Sequence, residues 1–370
     1  MVNQDKNNKY QTVSLAIATR IRCGDFSGRR SLPSELRLAA DYGVGRNTVR
    51  RALAALAESG LITKRQGNTS LIRNTPPARL PLRRKRAGKM VWLTDLPHAA
   101  LDDNSLYLEF FRLLSVLCDS HDLALDFISM TDPHWYDFYQ SNSYIATFIA
   151  GGNRERYSKY CYDRICEIDN LIVLDDLHVP PWRFSIGTDH RSSARTAVRH
   201  LLAAGHTRIG FLCSKQPYTP LYPHFAERRI GYEMAMAEAG LPVSEENFWT
   251  VTCHHLNYLL EDLRKDVSRI RQFDAFFAVT DLLAVLLVQL AREEHVRVPE
   301  ELSVIGFDGW RGAQLLAPRI ATIRHPAEEI ALSAFKLALQ LAGGKKPPRE
   351  KHIYMEGSLI TGETVFVKQK

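Results

Sequence analysis

The chain has little of what reactive chemistry requires. Its six cysteines (Cys23, Cys118, Cys161, Cys166, Cys213, Cys253) show no Cys-x-x-Cys spacing. Cys161 and Cys166, with no partner pair, make poor zinc ligands. Gly-x-Ser-x-Gly, Walker-type and Gly-x-Gly-x-x-Gly motifs are missing, which removes the usual sequence signs of acyl transfer, nucleotide hydrolysis and dinucleotide binding. Gly343-Gly344-Lys345-Lys346 lacks the upstream glycine of a phosphate loop and reads as a helix end before Pro347. His254 and His255 are adjacent, not at the i, i+4 spacing that puts two ligands on one helix face. The expectation is a protein that is not an enzyme and uses neither a metal nor a cofactor.

Long hydrophobic runs are missing as well. The first thirteen residues, MVNQDKNNKYQTV, are polar, where a secretory leader needs an apolar stretch of about 7–15 residues. The most apolar run, 275–291, is interrupted by Asp281, so no membrane span is expected. Scattered thiols without a leader fit a reducing compartment, and the chain reads as cytoplasmic. What is present is charge, unevenly placed. The 370 residues carry a formal +7. Residues 1–88 hold 18 Lys and Arg against 5 Asp and Glu, a net of +13, and the other 282 hold 30 against 36, a net of −6. A small basic head on a mildly acidic body implies a polyanionic partner, and double-stranded DNA is the usual one.

The text divides accordingly into a head (1–72), a linker (73–88) and a body (89–370). The linker RNTPPARLPLRRKRAG has three prolines, clustered basic residues and no apolar period. In the body, apolar runs such as MVWL, LIVL, AFFAV and LSVIGF alternate with helical stretches, which predicts βαβ units and parallel sheets. The fold class is thus an α+β winged helix-turn-helix domain followed by an α/β domain.

In the head, residues 34–42 (SELRLAADY) open with a capping serine and stop at Gly43. A short turn leads to RNTVRRALAALAESG, where Val49, Ala52, Leu53 and Leu56 fall on one face at i, i+3, i+4 and i+7. Arg46, Asn47 and Arg50 share the opposite face near the helix start. That is the geometry of major-groove reading: Arg pairs bidentately with guanine, Asn with adenine. Lys64 and Arg65 are placed to meet phosphates, and 61–72 reads as two short strands around a Gly-Asn turn.

The segment LPSELRLAADYGVGRNTVRRALAALAESGLITKRQGNTSLI resembles the GntR-type winged-helix domain over residues 9–72. The resemblance implies DNA contacts by Arg46, Asn47, Thr48 and Arg50, and by Gly67 at the wing tip. Two positions depart from it: Leu36 stands where the family has a phosphate-contacting Arg, and Gly45 replaces a Ser or Thr.

In the body, Asp175, Asp189, Asp281 and Asp308 fall at the carboxyl ends of predicted strands, the rim where open α/β sheets bind ligands. Carboxylates with a nearby Arg suit a polyhydroxylated molecule. Asp189 and Asp281 read as helix caps, whereas Arg228 and Asp308 have no evident capping role and are the stronger ligand candidates. The phrases HLLAAGHTRIGFL, ERRIGYEMAMAEAGL and VPEELSVIGFDG resemble the effector domain of LacI/GalR regulators, a periplasmic-binding-protein-like fold. Joined to the head, they resemble arabinose-repressor-like regulators. The resemblance implies a two-lobed domain, with lobes 89–188 plus 321–345 and 189–320 plus 346–367, and a homodimer binding an inverted-repeat operator. It also implies a mono- or disaccharide effector near Asp175, Arg228, Thr280 and Asp308, with contributions from Tyr107, His254 and His255. Thr280 departs from the family's Asn. The aromatic loop 214–227, with Tyr218, Tyr222 and Phe225, either stacks on a sugar or covers the hinge. The function expected is a sugar-responsive repressor. An activator, a nucleobase-responsive regulator and, remotely, a solute receptor stay open.

Overall fold

The computed structural model describes residues 10, 13, 14, 17, 32–42, 44–58, 62–65, 68–72, 88–94, 106–150, 159–176, 183–215, 221–252 and 258–368. The chain forms two compact units, 1–85 and 86–370.

In the first unit, α1 (Glu35–Asp41) starts at Ser34, whose hydroxyl accepts the Arg37 N–H at 3.3 Å. Helix α2 (Arg46–Glu58) buries Val49, Ala52, Leu53 and Leu56, the four positions the helical period selects. They form a small core with Ile17, Leu32, Leu38 and Ile62. Strand β1 (Ile62–Arg65) pairs antiparallel with β2 (Asn68–Ile72), Ile62 opposite Ile72, which makes the wing.

The second unit contains two six-stranded sheets. In the first, β3 (Gly88–Thr94), β4 (Leu123–Ser129), β5 (Ala146–Ala150), β6 (Leu171–Leu174) and β7 (Phe184–Thr188) are all parallel. The helices α3 (Leu106–Ser120), α4 (Trp135–Gln140) and α5 (Lys159–Cys166) alternate with them. In the second, β8 (Ile209–Lys215), β9 (Phe248–Thr252), β10 (Ala275–Ala278), β11 (Ser303–Asp308) and β12 (Ala321–Arg324) are again parallel. The helices α6 (His190–Ala203), α7 (Pro223–Glu238), α8 (Leu259–Arg264) and α9 (Asp281–Glu293) belong to that lobe. Helix α10 (Ala327–Ala342) returns to the first lobe, where Ile330, Ala331 and Phe335 join Trp92, Phe110 and Leu114 in the core. Strand β13 (His352–Met355) then adds to β7, and β14 (Ser358–Ile360) crosses back to pair antiparallel with β12.

Two of the expected lobe boundaries move. β12 completes the second sheet, so the second crossover lies at 325–326 and not before 321. The 346–355 stretch ends in the first lobe, through β13, and not in the second. A short apolar run announces a strand, but its neighbour is chosen by tertiary packing. Glycine is required where lobe two is tightest. A Cβ at Gly231 on α7 would sit 2.2 Å from the Arg191 carbonyl oxygen on α6, so the close packing of these helices depends on its absence. Among the described residues no helix is long and apolar enough to cross a membrane.

Candidate functional site

On the head, Glu35 organises the cationic face of α2. Its carboxylate accepts from Arg50 Nε and Nη2 at 3.1–3.3 Å and lies 3.7 Å from Arg46 Nη2. Both guanidinium groups stay more than half exposed, at 58% and 56%. Asn47 is exposed beside them and Thr48 half-buried. A Cβ at Gly45 would meet nothing within 4 Å, so space does not dictate that glycine. Lys64 and Arg65 lie on β1. Gly67 falls outside the described residues, as do His254, His255 and Tyr218.

On the body, a cavity of about 800 Å³ opens between the lobes. Lobe one contributes Tyr107 from the start of α3 and Asp175 from the end of β6; lobe two contributes Arg228 from α7 and Asp308 from the end of β11. Four of the sequence-predicted effector residues therefore meet in one place. Asp175 and Asp308 both leave their strands at positive φ, +51° and +118°, the strained backbone that strand-end binding residues often adopt.

Arg228 is the buried cation of this site, 3% exposed. Its Nη1 donates to Asp308 Oδ1 at 3.2 Å and to the Val279 carbonyl, and Nε donates to His190 Nδ1 at 3.3 Å. Its guanidinium carbon stands 3.7 Å from the centre of the Phe307 ring, where a planar cation is favoured. Burial lowers its basicity, and Asp308 and Asp175 oppose that loss. Burial also pushes His190 down, and pushes His224 down to about 3 with help from His190 and Arg228. For Asp175, burial favours the acid, but His190, His325 and the Thr188 N–H outweigh it and hold the carboxyl below the usual carboxylate range. The cavity floor thus offers an ionised carboxylate at Asp175 and a fixed guanidinium paired with Asp308. That arrangement recognises hydroxyl groups through directed hydrogen bonds.

Two expectations change. Thr280 does not line the cavity; its hydroxyl caps α9 by accepting the Leu283 N–H at 3.3 Å. Asp281, expected as that cap, is the first residue inside the helix. It is buried and accepts from the Trp310 N–H at 2.6 Å and the Thr322 hydroxyl at 2.5 Å. Burial, with Asp308 nearby, pushes its pKa up to about 8. Asp189 is a cap, accepting the Ser192 N–H at 2.9 Å. In the aromatic loop, Phe225 lines the cavity and Tyr222 stacks on His224 with rings 6.4 Å apart. Sequence reasoning missed His224, Trp310 and His325, all of which line the cavity. Only the position of His325, directly after a strand and before a proline, offered a hint.

Both parts have counterparts among known proteins. Residues 9–72 match the gntR family of bacterial regulatory proteins, and 198–365 match the periplasmic binding protein-like domain. The transcriptional regulator GalR of Salmonella typhimurium strain LT2 is 33% identical over 172 residues, 46% of this chain and 48% of that protein. The arabinose metabolism transcriptional repressor of Halalkalibacterium halodurans is 23% identical over 366 residues, 95% of each. The chain therefore spans about half the length of GalR and nearly all of the arabinose repressor. Among solved structures, the regulator CelR with cellobiose aligns at a TM-score of 0.63 and 18% identity, covering 90% of this chain and all of that one. A GntR regulator from Chromobacterium violaceum aligns at 0.60 and 20%, covering 75% and 98%. The fold is a helix-turn-helix domain joined to a two-lobed α/β domain of parallel sheets, and the homologues are transcription regulators.

Proposed function

We propose that this chain, a GntR-type head joined to a periplasmic-binding-protein-like body, is a transcriptional repressor released from its operator by a small sugar. The observation that carries the reading is the convergence of Arg228, Asp308, Asp175 and Tyr107 on one inter-lobe cavity, in a chain whose head presents Arg46, Asn47 and Arg50 on one exposed helix face. The cavity has room for a mono- or disaccharide, and its paired charges favour a neutral polyol. Arg46, Asn47, Thr48 and Arg50 read the major groove, while Lys64, Arg65 and Gly67 hold the backbone. One such head makes a small interface, so the working form is a homodimer on an inverted repeat, acting in the cytoplasm. The relatives' roles in transcription, one of them named for arabinose metabolism, support this reading and leave no need for catalysis.

The test is footprinting of DNA flanking the chain's own coding region, with and without a panel of aldopentoses, aldohexoses and disaccharides. Protection of a two-fold site that one sugar abolishes is the expected result. Protection that strengthens with sugar would make the protein an activator or co-repressed regulator. No protection at any salt would overturn the assignment.

A further inference from the structure

At the cavity floor, six residues form a circuit of contacts across the hinge, one of them through a backbone N–H. The Thr188 N–H donates to Asp175 Oδ1 at 2.8 Å, and Asp175 Oδ1 faces His190 Nε2 at 3.6 Å. His190 Nδ1 accepts from Arg228 Nε at 3.3 Å, and Arg228 Nη1 donates to Asp308 Oδ1 at 3.2 Å. The same Asp308 oxygen is approached by His325 Nε2 at 3.4 Å. His325 Nδ1 and the Thr188 hydroxyl, 2.8 Å apart, complete the circuit. Asp175 and Thr188 end strands of lobe one, and His190, Arg228 and Asp308 belong to lobe two. His325 stands in the crossover between them, 6% exposed.

The chemistry of the donors fixes both histidine tautomers. Arg228 can only donate, so His190 Nδ1 is unprotonated and its Nε2–H faces Asp175. With the Thr188 hydroxyl donating to Nδ1, His325 carries its proton on Nε2, toward Asp308 Oδ1. The links differ in strength, and His190 Nε2 approaches Asp175 without a hydrogen bond. Thr188 to His325 is short, whereas His325 to Asp308 lies beyond the roughly 2.7–3.2 Å of a good N–H···O bond. His325 also shares its acceptor oxygen with Arg228. The link from His325 to Asp308 is thus loose where Asp308 opens to the cavity.

We propose that His325 is the positioning residue that reports occupation of the cavity to the hinge. This rests on the cavity being the effector site. A ligand hydroxyl donating to Asp308 competes with the His325 N–H for the same carboxylate. His325 then stays with lobe one through Thr188, and the tie from the crossover to lobe two is lost. An effector shifts the lobes only by binding the two arrangements differently, and this exchange is such a difference. Thr188 does not line the cavity, so removing its hydroxyl alters the report without altering the pocket.

The experiment uses Thr188→Val, which keeps the side-chain shape and the backbone bond to Asp175, with Thr188→Ser as the variant that keeps the hydroxyl. Each full-length protein carries a fluorophore pair, one dye on each lobe. Without sugar, Thr188→Val should broaden the distribution of lobe separations, and Thr188→Ser should match the parent; identical distributions for all three would overturn the proposal. L-arabinose, D-galactose and cellobiose are then titrated against the operator complex. With a sugar that releases the parent, Thr188→Val should bind it within about threefold but lose at least tenfold of its effect on operator affinity. Unchanged release would overturn the proposal, as would sugar affinity falling in proportion to release. If no sugar acts on the parent, the effector reading fails, and the sugar-free distributions still decide the role of the ring.

Discussion

Asp281 shows how burial turns one carboxyl into a pH-dependent stability element. Its pKa, raised to about 8, means the folded chain holds a proton that the unfolded chain releases near pH 4. The folded state therefore binds more protons between those values, and stability is fully present below about pH 4 and declines as pH rises through about 8. Asp281→Asn removes the titrating proton: its carbonyl still accepts the Trp310 N–H, and its amide faces the Thr322 hydroxyl, whose proton can turn to the Ile323 carbonyl. The variant should melt at a higher temperature than the parent at pH 8–9 and show a flatter profile over pH 4–8, by calorimetry in matched ionic strength. Arg228 and Asp308 make a different prediction. Losing one charged partner to a sugar hydroxyl costs about 1.5–3 kcal/mol, or ~10- to 150-fold in affinity. Arg228→Ala and Asp308→Asn should thus weaken sugar binding by that factor, measured by calorimetry on the folded variants without operator. Unchanged sugar affinity would place both residues in lobe coupling alone.

At the scale of elements, α6 and α7 pack with Gly231 at their closest approach. Gly231→Ala drives a methyl to 2.2 Å from the Arg191 carbonyl, so the helices must separate. Overpacking of this kind costs about 1–3 kcal/mol, read as a lower urea midpoint with an unchanged slope. Gly231 lies inside one of the phrases that made the body recognisable, and this is why such phrases are legible: they record local packing. The same holds for α2, whose apolar face follows the 3.6-residue period. Arg228 and Asp308 were legible because each sits in a local pattern, a helix opening and a strand end. His325 was not, because its partner Thr188 is 137 positions away in sequence and no local period links them. Thr280 and not Asp281 caps α9, because a cap is defined by one residue of helix phase, finer than propensity resolves. The lobe assignment of β12 and β13 was hidden for a related reason, since strand order is a property of the sheet.

For the whole molecule, charge is segregated, +13 on residues 1–88 and −6 on the rest. Duplex binding should weaken steeply with salt, each neutralised phosphate adding about −0.9 to the log–log slope. Arg46→Ala should relax preference at one base per half-site, measured by competition with point-substituted operators; a slope near zero would mean the head is not the DNA-binding surface. The path of the chain between lobes has a consequence for biosynthesis. Lobe one gains its last strand only at 352–355, and lobe two only at 358–360. Beyond these, the Thr364 hydroxyl ties the tail to Val304 in β11 at 2.6 Å. Neither sheet can be completed until residues 352–360 have been made, whereas the head, made before the body, contains its own core. A nascent chain therefore carries a finished basic head well before it has a working hinge. A translation product cut short near residue 350 would hold the proposed DNA-binding surface without a completed hinge to tell it to let go.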